Sequence, residues 1–167
     1  KAIQQFPNMN DLYIDNSGEI WITGKNGYVF TYNSIQDKYE LALNFTDSIK
    51  SNKRLPITHT SLDTSNHLWM CTKTGQYIYD TQKKDFYAIE NPIQEEITFL
   101  TQGKDNQYFM GTSHNIYIAR LDNRKLSVQT DSLLENFHII QHLYYHKPTE
   151  SLLIGTLIDG FFLYNLR

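Results

Sequence analysis

Short apolar segments separated by polar turns recur along the whole chain. Trp21, Trp69, Phe109 and Leu153 are the centres of four such segments, at spacings of 48, 40 and 44 residues. Each segment is a nearly continuous apolar run, which is typical of a strand buried on both faces because alternate side chains point to opposite sides. The pattern therefore predicts an all-β protein built from a repeated unit.

Equivalent positions in the four copies carry similar residues, and each has a structural interpretation. Glycines near the centres supply tight turns or let another backbone approach closely. Three residues after the centres stand Gly24, Thr72, Thr112 and Thr156. Further repeat positions are Gly27, Gly75, Gly111 and Gly155. Nine residues after the centres stand Phe30, Ile78, Ile118 and Phe162.

Each copy contains about four strands, and a four-stranded antiparallel unit recurring every ~40–50 residues is the signature of a β-propeller blade. In the second copy the predicted strands are Ile57 to Leu62, His67 to Thr72, Gln76 to Asp80 and Asp85 to Glu90. We expect one partial propeller over 1–167, with approximate blades at 8–45, 56–91, 96–130 and 137–167. Residues 1–6 are interpreted as the outer strand of a preceding or closing blade, and the last copy ends after its third strand. About four blades then form part of a larger propeller.

Residues 130–147 fit two interpretations. Leu133, Phe137, Ile140 and Tyr144 would share one face of a helix, with Asp131 as its cap. The repeat instead places a first strand at 141–146. We favour the strand, because a helix would leave one blade without its inner strand.

Composition narrows the class of protein. Lys and Arg total 15 against 18 Asp and Glu, a net charge of −3, which lacks the positive excess of a general nucleic-acid binder. The hydrophobic fraction of 40% is enough for a core, and no apolar stretch approaches the ~20 residues of a membrane span. Cys71 is the single cysteine, which excludes an internal disulfide and a multi-thiolate zinc site. The chain begins at Lys1 without a signal peptide, so we expect a processed piece of a longer protein.

No pattern of catalytic or cofactor-binding residues emerges. A nucleophile elbow, a phosphate-binding loop and a dinucleotide fingerprint are all absent from the sequence. His138, His142 and His146 are spaced by four, which on a strand separates them by ~13 Å, too far for one metal ion. Turn carboxylates such as Asp15, Asp63 and Asp105 are expected to make local hydrogen bonds. We predict no catalytic residue, no metal and no cofactor.

Candidate recognition residues are few. Trp21 and Trp69 lie in the predicted buried strand, so we expect core residues rather than a sugar-stacking platform. Cys71 is expected to be an inert buried thiol. The loop 46–55 accounts for the longest repeat spacing and carries Lys50, Lys53 and Arg54, which are the candidate ligand contacts because scaffold proteins place recognition on loops.

The repeat resembles the two-component regulator propeller repeat. The matching stretches are GEIWITGKNG, HLWMCTKTG, QYFMGTSHN and LLIGTLIDG. The resemblance implies the periplasmic sensor region of a Bacteroides hybrid two-component receptor, anchored in the inner membrane. Such receptors respond to polysaccharide-derived oligosaccharides, and their histidine kinase lies in other parts of the protein. The alternatives are a protein–protein interaction scaffold and a propeller lyase.

Both ends of an open run of blades should expose apolar sheet faces. We expect Leu152, Leu153, Ile154, Phe161, Phe162 and Leu163 among the uncovered residues. The chain should therefore form a homo-oligomer through these faces, or else close into a four-bladed ring in which residues 1–6 complete the last blade.

Overall fold

The computed structural model describes residues 9–49 and 55–166, and nearly all of the regular structure is β. The first sheet contains β1 (Met9–Ile14), β2 (Ile20–Gly24), β3 (Tyr28–Asn33) and β4 (Lys38–Asn44). The second contains β5 (Ile57–Leu62), β6 (His67–Thr72), β7 (Gly75–Asp80) and β8 (Asp85–Ile89). The third contains β9 (Phe99–Gln102), β10 (Gln107–Gly111), β11 (Ile116–Asp122) and β12 (Lys125–Gln129). The fourth contains β13 (Ile140–His146), β14 (Ser151–Thr156) and β15 (Phe161–Asn165).

Within every sheet the strands lie in chain order and pair antiparallel, so each sheet is a meander. The fourth sheet has three strands among the described residues. In the part of the chain that the structure describes, helical structure is limited to the single turn α1 (Phe45–Ser48) and two 3₁₀ turns (Ser132–Leu134 and Lys147–Thr149). No helix in the described ranges is long and apolar enough to cross a membrane. The predicted all-β architecture of four-stranded units is confirmed.

Consecutive sheets pack face to face through three hydrophobic clusters. The cluster between the first two sheets contains Trp21 and Met70, the next contains Trp69 and Met110, and the last contains Phe109 among its members. None of the three clusters combines residues of the first and fourth sheets, and the sheets do not close into a ring. Residues 9–49 and 55–166 therefore form no closed four-bladed ring, and residues 1–6, which were expected to complete one, lie outside the described residues.

The ambiguous segment before the fourth sheet contains a strand, as favoured. Asp131 does act as a cap, but only of the 3₁₀ turn, where its side chain accepts from the backbone N–H of Leu133. The chain then passes through Asn136 and Ile139, both with positive φ, which interrupts any helix. The N–H of Ile140 donates to the carbonyl of Ser113 in the preceding sheet, which fixes the start of β13.

The residues nine after the centres, which form one position of the sequence repeat, do not face the centre in every sheet. Trp69 and Phe109 face Ile78 and Ile118, whereas Trp21 faces Thr31 and Leu153 faces Leu163. The hairpins of these two sheets are one residue longer. Their turns accommodate it with Gly27 and Gly160, at φ of 86° and 85°, a conformation that glycine adopts without steric cost.

The two end faces of the stack are only partly as predicted. Leu152 and Ile154 are buried against the third sheet, because their side chains point inward. Phe161 and Leu163 are 66% and 63% exposed on the outer face of the fourth sheet, and Phe162 is 37% exposed. The first sheet exposes Leu12 and Ile14 on its own outer face in the same way.

We expect the chain to self-associate by covering these two outer faces. Burying each such side chain is worth roughly 1.5–3 kcal/mol, so Phe161→Lys with Leu163→Lys should weaken association by more than about tenfold. Light scattering over a concentration series measures the mass. Ile35→Lys is the matched control, because Ile35 is an exposed apolar residue on a turn. A wild-type chain that remains monomeric at high concentration contradicts this expectation.

Candidate functional site

The repeat positions identified in the sequence have structural roles. Trp21, Trp69 and Phe109 are fully buried, and Leu153 is half-buried. The tryptophans are thus core residues and offer no ring to a ligand. Gly24, Gly111 and Gly155 lie in the second strands of their sheets, Gly27 lies in the turn that follows, and Gly75 begins β7.

The threonine positions close the turn between the second and third strands. The hydroxyl of Thr72 donates to the carbonyl of Gly75, and those of Thr112 and Thr156 donate across the same turn in their own sheets. Each hydroxyl also accepts a backbone N–H from the turn. In the first sheet Gly24 has no hydroxyl, and its carbonyl accepts directly from the N–H of Gly27.

An aspartate–tryptophan pair that sequence reasoning missed organises the first two sheets. Six residues before each tryptophan, Asp15 and Asp63 accept the indole N–H at 2.9 and 3.0 Å. The second carboxylate oxygen of each accepts two backbone N–H groups of the turn. The third sheet has Phe109 instead of tryptophan and Gly103 instead of aspartate. A Cβ at Gly103 would lie 2.6 Å from the Phe109 ring, so the ring occupies the space of the missing side chain.

Asp63 also links the second and third sheets. The Tyr108 hydroxyl donates to it at 2.7 Å, and the His67 ring lies 3.2 Å from the same oxygen. Burial opposes ionisation of Asp63, but the hydrogen bonds from His67, Trp69 and Tyr108 outweigh it and hold its pKa below the ordinary value. The hydrogen bond to Asp63 in turn raises the pKa of His67.

The other candidates make no reactive centre in the described ranges. Lys50, Lys53 and Arg54 lie outside the described residues. Burial raises the pKa of the Cys71 thiol to about 12, which keeps it protonated and inert. His138 lies in the linker before β13, whereas His142 and His146 lie within that strand. No group of three or more metal-ligating side chains is assembled within 9–49 and 55–166.

A cleft of about 370 Å³ opens where the second sheet passes to the third. One wall is the turn between β6 and β7, with Lys73 and Thr74, and the other is the linker 91–95. The linker is held at both ends: Glu90 pairs with Lys125 of β12, and Ile97 is fully buried. We call this depression the linker cleft.

The floor of the linker cleft is formed by Gln76, which is only 3% exposed. Its amide oxygen accepts from Asn91 Nδ2 at 2.5 Å, and Asn91 Oδ1 accepts the N–H of Ile93 in a tight turn. The Gln76 amide nitrogen donates to no other described residue. This nitrogen is not buried without a partner, so it is available to hydrogen-bond a molecule in the cleft that Gln76 lines.

At the far end of the linker cleft, Glu95 accepts hydrogen bonds from Tyr117 and Asn115. These bonds, with that of Tyr117 the strongest, lower the pKa of Glu95 and keep it ionised. A shallow depression of about 380 Å³ adjoins this end and contains the Tyr117 ring, Pro92 and Val128. A polar cleft thus continues into an apolar shelf.

Comparisons with known proteins establish the fold. No family model matches the chain, and no curated protein sequence matches it. Among solved structures, the extracellular domain of the hybrid two-component system BT4673 from B. thetaiotaomicron is 18% identical, with a TM-score of 0.72 over 94% of this chain. The chain spans 20% of the length of that protein.

Two further structures belong to other functional classes. The β-propeller domain of Myceliophteria thermophila Cps50 is 10% identical, with a TM-score of 0.69 over 98% of this chain and 54% of its own. Virginiamycin B lyase from Staphylococcus aureus, in a catalytically inactive form with quinupristin, is 13% identical, with a TM-score of 0.67 over 97% of this chain and 58% of its own. The chain therefore has the fold of consecutive β-propeller blades.

Replacing the two paired aspartates should have unequal effects on stability. Asp63→Ala leaves the buried Trp69 and Tyr108 donors without an acceptor and should cost about 3–5 kcal/mol of unfolding free energy. Asp15→Ala leaves one buried donor, the Trp21 indole N–H, without an acceptor. Its cost in unfolding free energy should therefore be smaller than that of Asp63→Ala by roughly 1–3 kcal/mol. Urea denaturation of both variants measures the difference, and equal losses would contradict the role given to Tyr108.

Stability should also depend on the protonation of His67. Because the folded state raises its pKa, the contribution is fully present below the ordinary value of 6.5 and is lost as the pH rises through the raised value. The melting temperature of the wild type should therefore decline as the pH rises from 6.5 through the raised pKa of His67, and His67→Gln should remove that decline. His146→Gln is the control that should retain it; a decline unaltered in His67→Gln excludes the assignment.

Proposed function

We propose that the chain is a ligand-sensing segment of the extracellular region of a hybrid two-component receptor, located in the periplasm and without catalytic activity of its own. The observation that carries the proposal is the similarity over 94% of the chain to the extracellular domain of BT4673. The repeat motifs of the sequence point to the same class of receptor independently of the structural similarity.

The proposed ligand is an oligosaccharide released from a polysaccharide. A sugar ring has hydroxyl groups at its edge and apolar C–H groups on its faces. The linker cleft offers amide, hydroxyl and carboxylate groups, and the adjoining shelf offers the Tyr117 ring. This combination of few polar groups with an apolar surface is typical of small-molecule sites.

Signalling requires the ligand to bind one arrangement of the receptor more tightly than another, because equal affinity shifts no equilibrium. The proposed output is a changed arrangement of two receptor chains. For the isolated chain, we propose that copies associate through the exposed outer faces at Leu12 and Leu163.

The test is calorimetric titration of the chain with oligosaccharide digests, followed by chromatography of the recovered sugar. We expect saturable binding and unchanged sugar, because the proposed role is to sense the ligand and not to convert it. A cleaved product would support the lyase alternative, which the structural similarity to virginiamycin B lyase favours. Absence of binding to every digest contradicts the proposed function.

A further inference from the structure

Gln76 departs from the repeat at a buried position. It faces Cys71 across the second hairpin, and the residues at the equivalent place in the other sheets are Val29, Ile116 and Phe161. Val29 and Ile116 are buried, as is Gln76. The repeat therefore expects an apolar side chain at the position where the second sheet has an amide.

The amide nitrogen of Gln76 has access to solvent, because no fully buried side-chain nitrogen or oxygen of the described residues is without a hydrogen-bond partner. A buried amide is tolerated when its donors and acceptors are satisfied, and each unsatisfied one destabilises the fold. Asn91 satisfies the oxygen of Gln76, but no described residue accepts from its nitrogen, which is open to the linker cleft. Asn91 therefore holds the amide in place by its oxygen, and the amide nitrogen remains available to hydrogen-bond water or a ligand in the cleft that Gln76 lines.

We infer that the linker cleft is a saccharide-binding site in which the Gln76 amide donates to a sugar hydroxyl. This inference rests on the proposed function and assigns it a place. A sugar hydroxyl that accepts from Gln76 also has a proton to donate. Glu95, which lines the same cleft, is an ionised acceptor for hydroxyl groups of the ligand. Vicinal hydroxyls, each both donor and acceptor, match a cleft with a free N–H at its floor and a carboxylate at its end.

The adjoining shelf extends the site beyond one sugar ring. The linker residues Ile93, Gln94 and Glu95 line both the cleft and the shelf, so a ligand can pass from one to the other. On the shelf, the Tyr117 ring is oriented by its hydrogen bond to Glu95. The arrangement therefore favours an oligosaccharide over a single sugar.

The test uses four defined probes, namely maltotetraose, cellotetraose, xylotetraose and mannotetraose, in calorimetric titrations at millimolar concentration. We expect at least one to bind and Gln76→Ile, which restores the residue of the third sheet, to weaken its binding by about tenfold or more. The variant should melt no lower than the wild type. Gln102→Ile is the matched control, because the Gln102 amide oxygen also accepts a loop N–H, from Thr64, and lines a different depression; its affinity should match that of the wild type.

A second readout does not depend on the stability of the variant. In the wild-type chain, the side-chain amide resonances of Gln76 should shift on titration with the bound tetrasaccharide, and those of Gln102 should not. If a tetrasaccharide binds while Gln76→Ile retains full affinity or the Gln76 resonances stay unchanged, the linker cleft is not the site, although the proposed function stands. If none of the four probes binds while another oligosaccharide digest does, the expectation that a glucose, xylose or mannose tetrasaccharide fills this cleft is wrong; if nothing binds, both proposals fall.

Discussion

Each sheet of this protein is apolar on both faces, and that constraint determines the rest of its structure. A sheet with two apolar faces is stable only between two neighbours, so the unit must repeat. Trp21, Trp69 and Phe109 are buried in this way between consecutive sheets. The same constraint leaves Leu12 and Leu163 exposed, because the sheets that they would pack against are not among those described.

Buried polar groups form hydrogen bonds within and between the sheets without disrupting the packing of the sheets. Asp15 and Asp63 bring a carboxylate to each indole and at the same time complete a turn, so one side chain serves the core and the backbone. Asp63 also accepts a hydrogen bond from Tyr108 of the next sheet, so one carboxylate joins the second sheet to the third. The linker cleft lies where the chain passes between the same two sheets.

The hydrophobic periodicity of the sequence predicts the positions of the strands more accurately than it predicts the side-chain contacts between the strands. The bounds of β5 and β6 agree with those read from the sequence, because a buried strand between turn residues has a clear pattern. The hairpin lengths could not be read, since one extra residue before Gly160 changes the pairing without changing the apolar pattern. The aspartate–tryptophan pair did leave a signal: aspartate stands six residues before the centre only where the centre is tryptophan. The free donor of Gln76 required three-dimensional structure, because the sequence does not show which atoms Asn91 satisfies.

The central claim, that sheets in chain order stack face to face, is tested most directly by aromatic nuclear Overhauser contacts in solution. The structure predicts contacts from Trp21 to Tyr79, from Trp69 to Tyr108 and from Phe109 to Tyr145, with ring centroids 5.7, 4.8 and 6.1 Å apart. Each of these pairs joins one sheet to the next. Contacts that join Trp21 to Phe109, or loss of all three predicted pairs in a folded chain, would contradict the account.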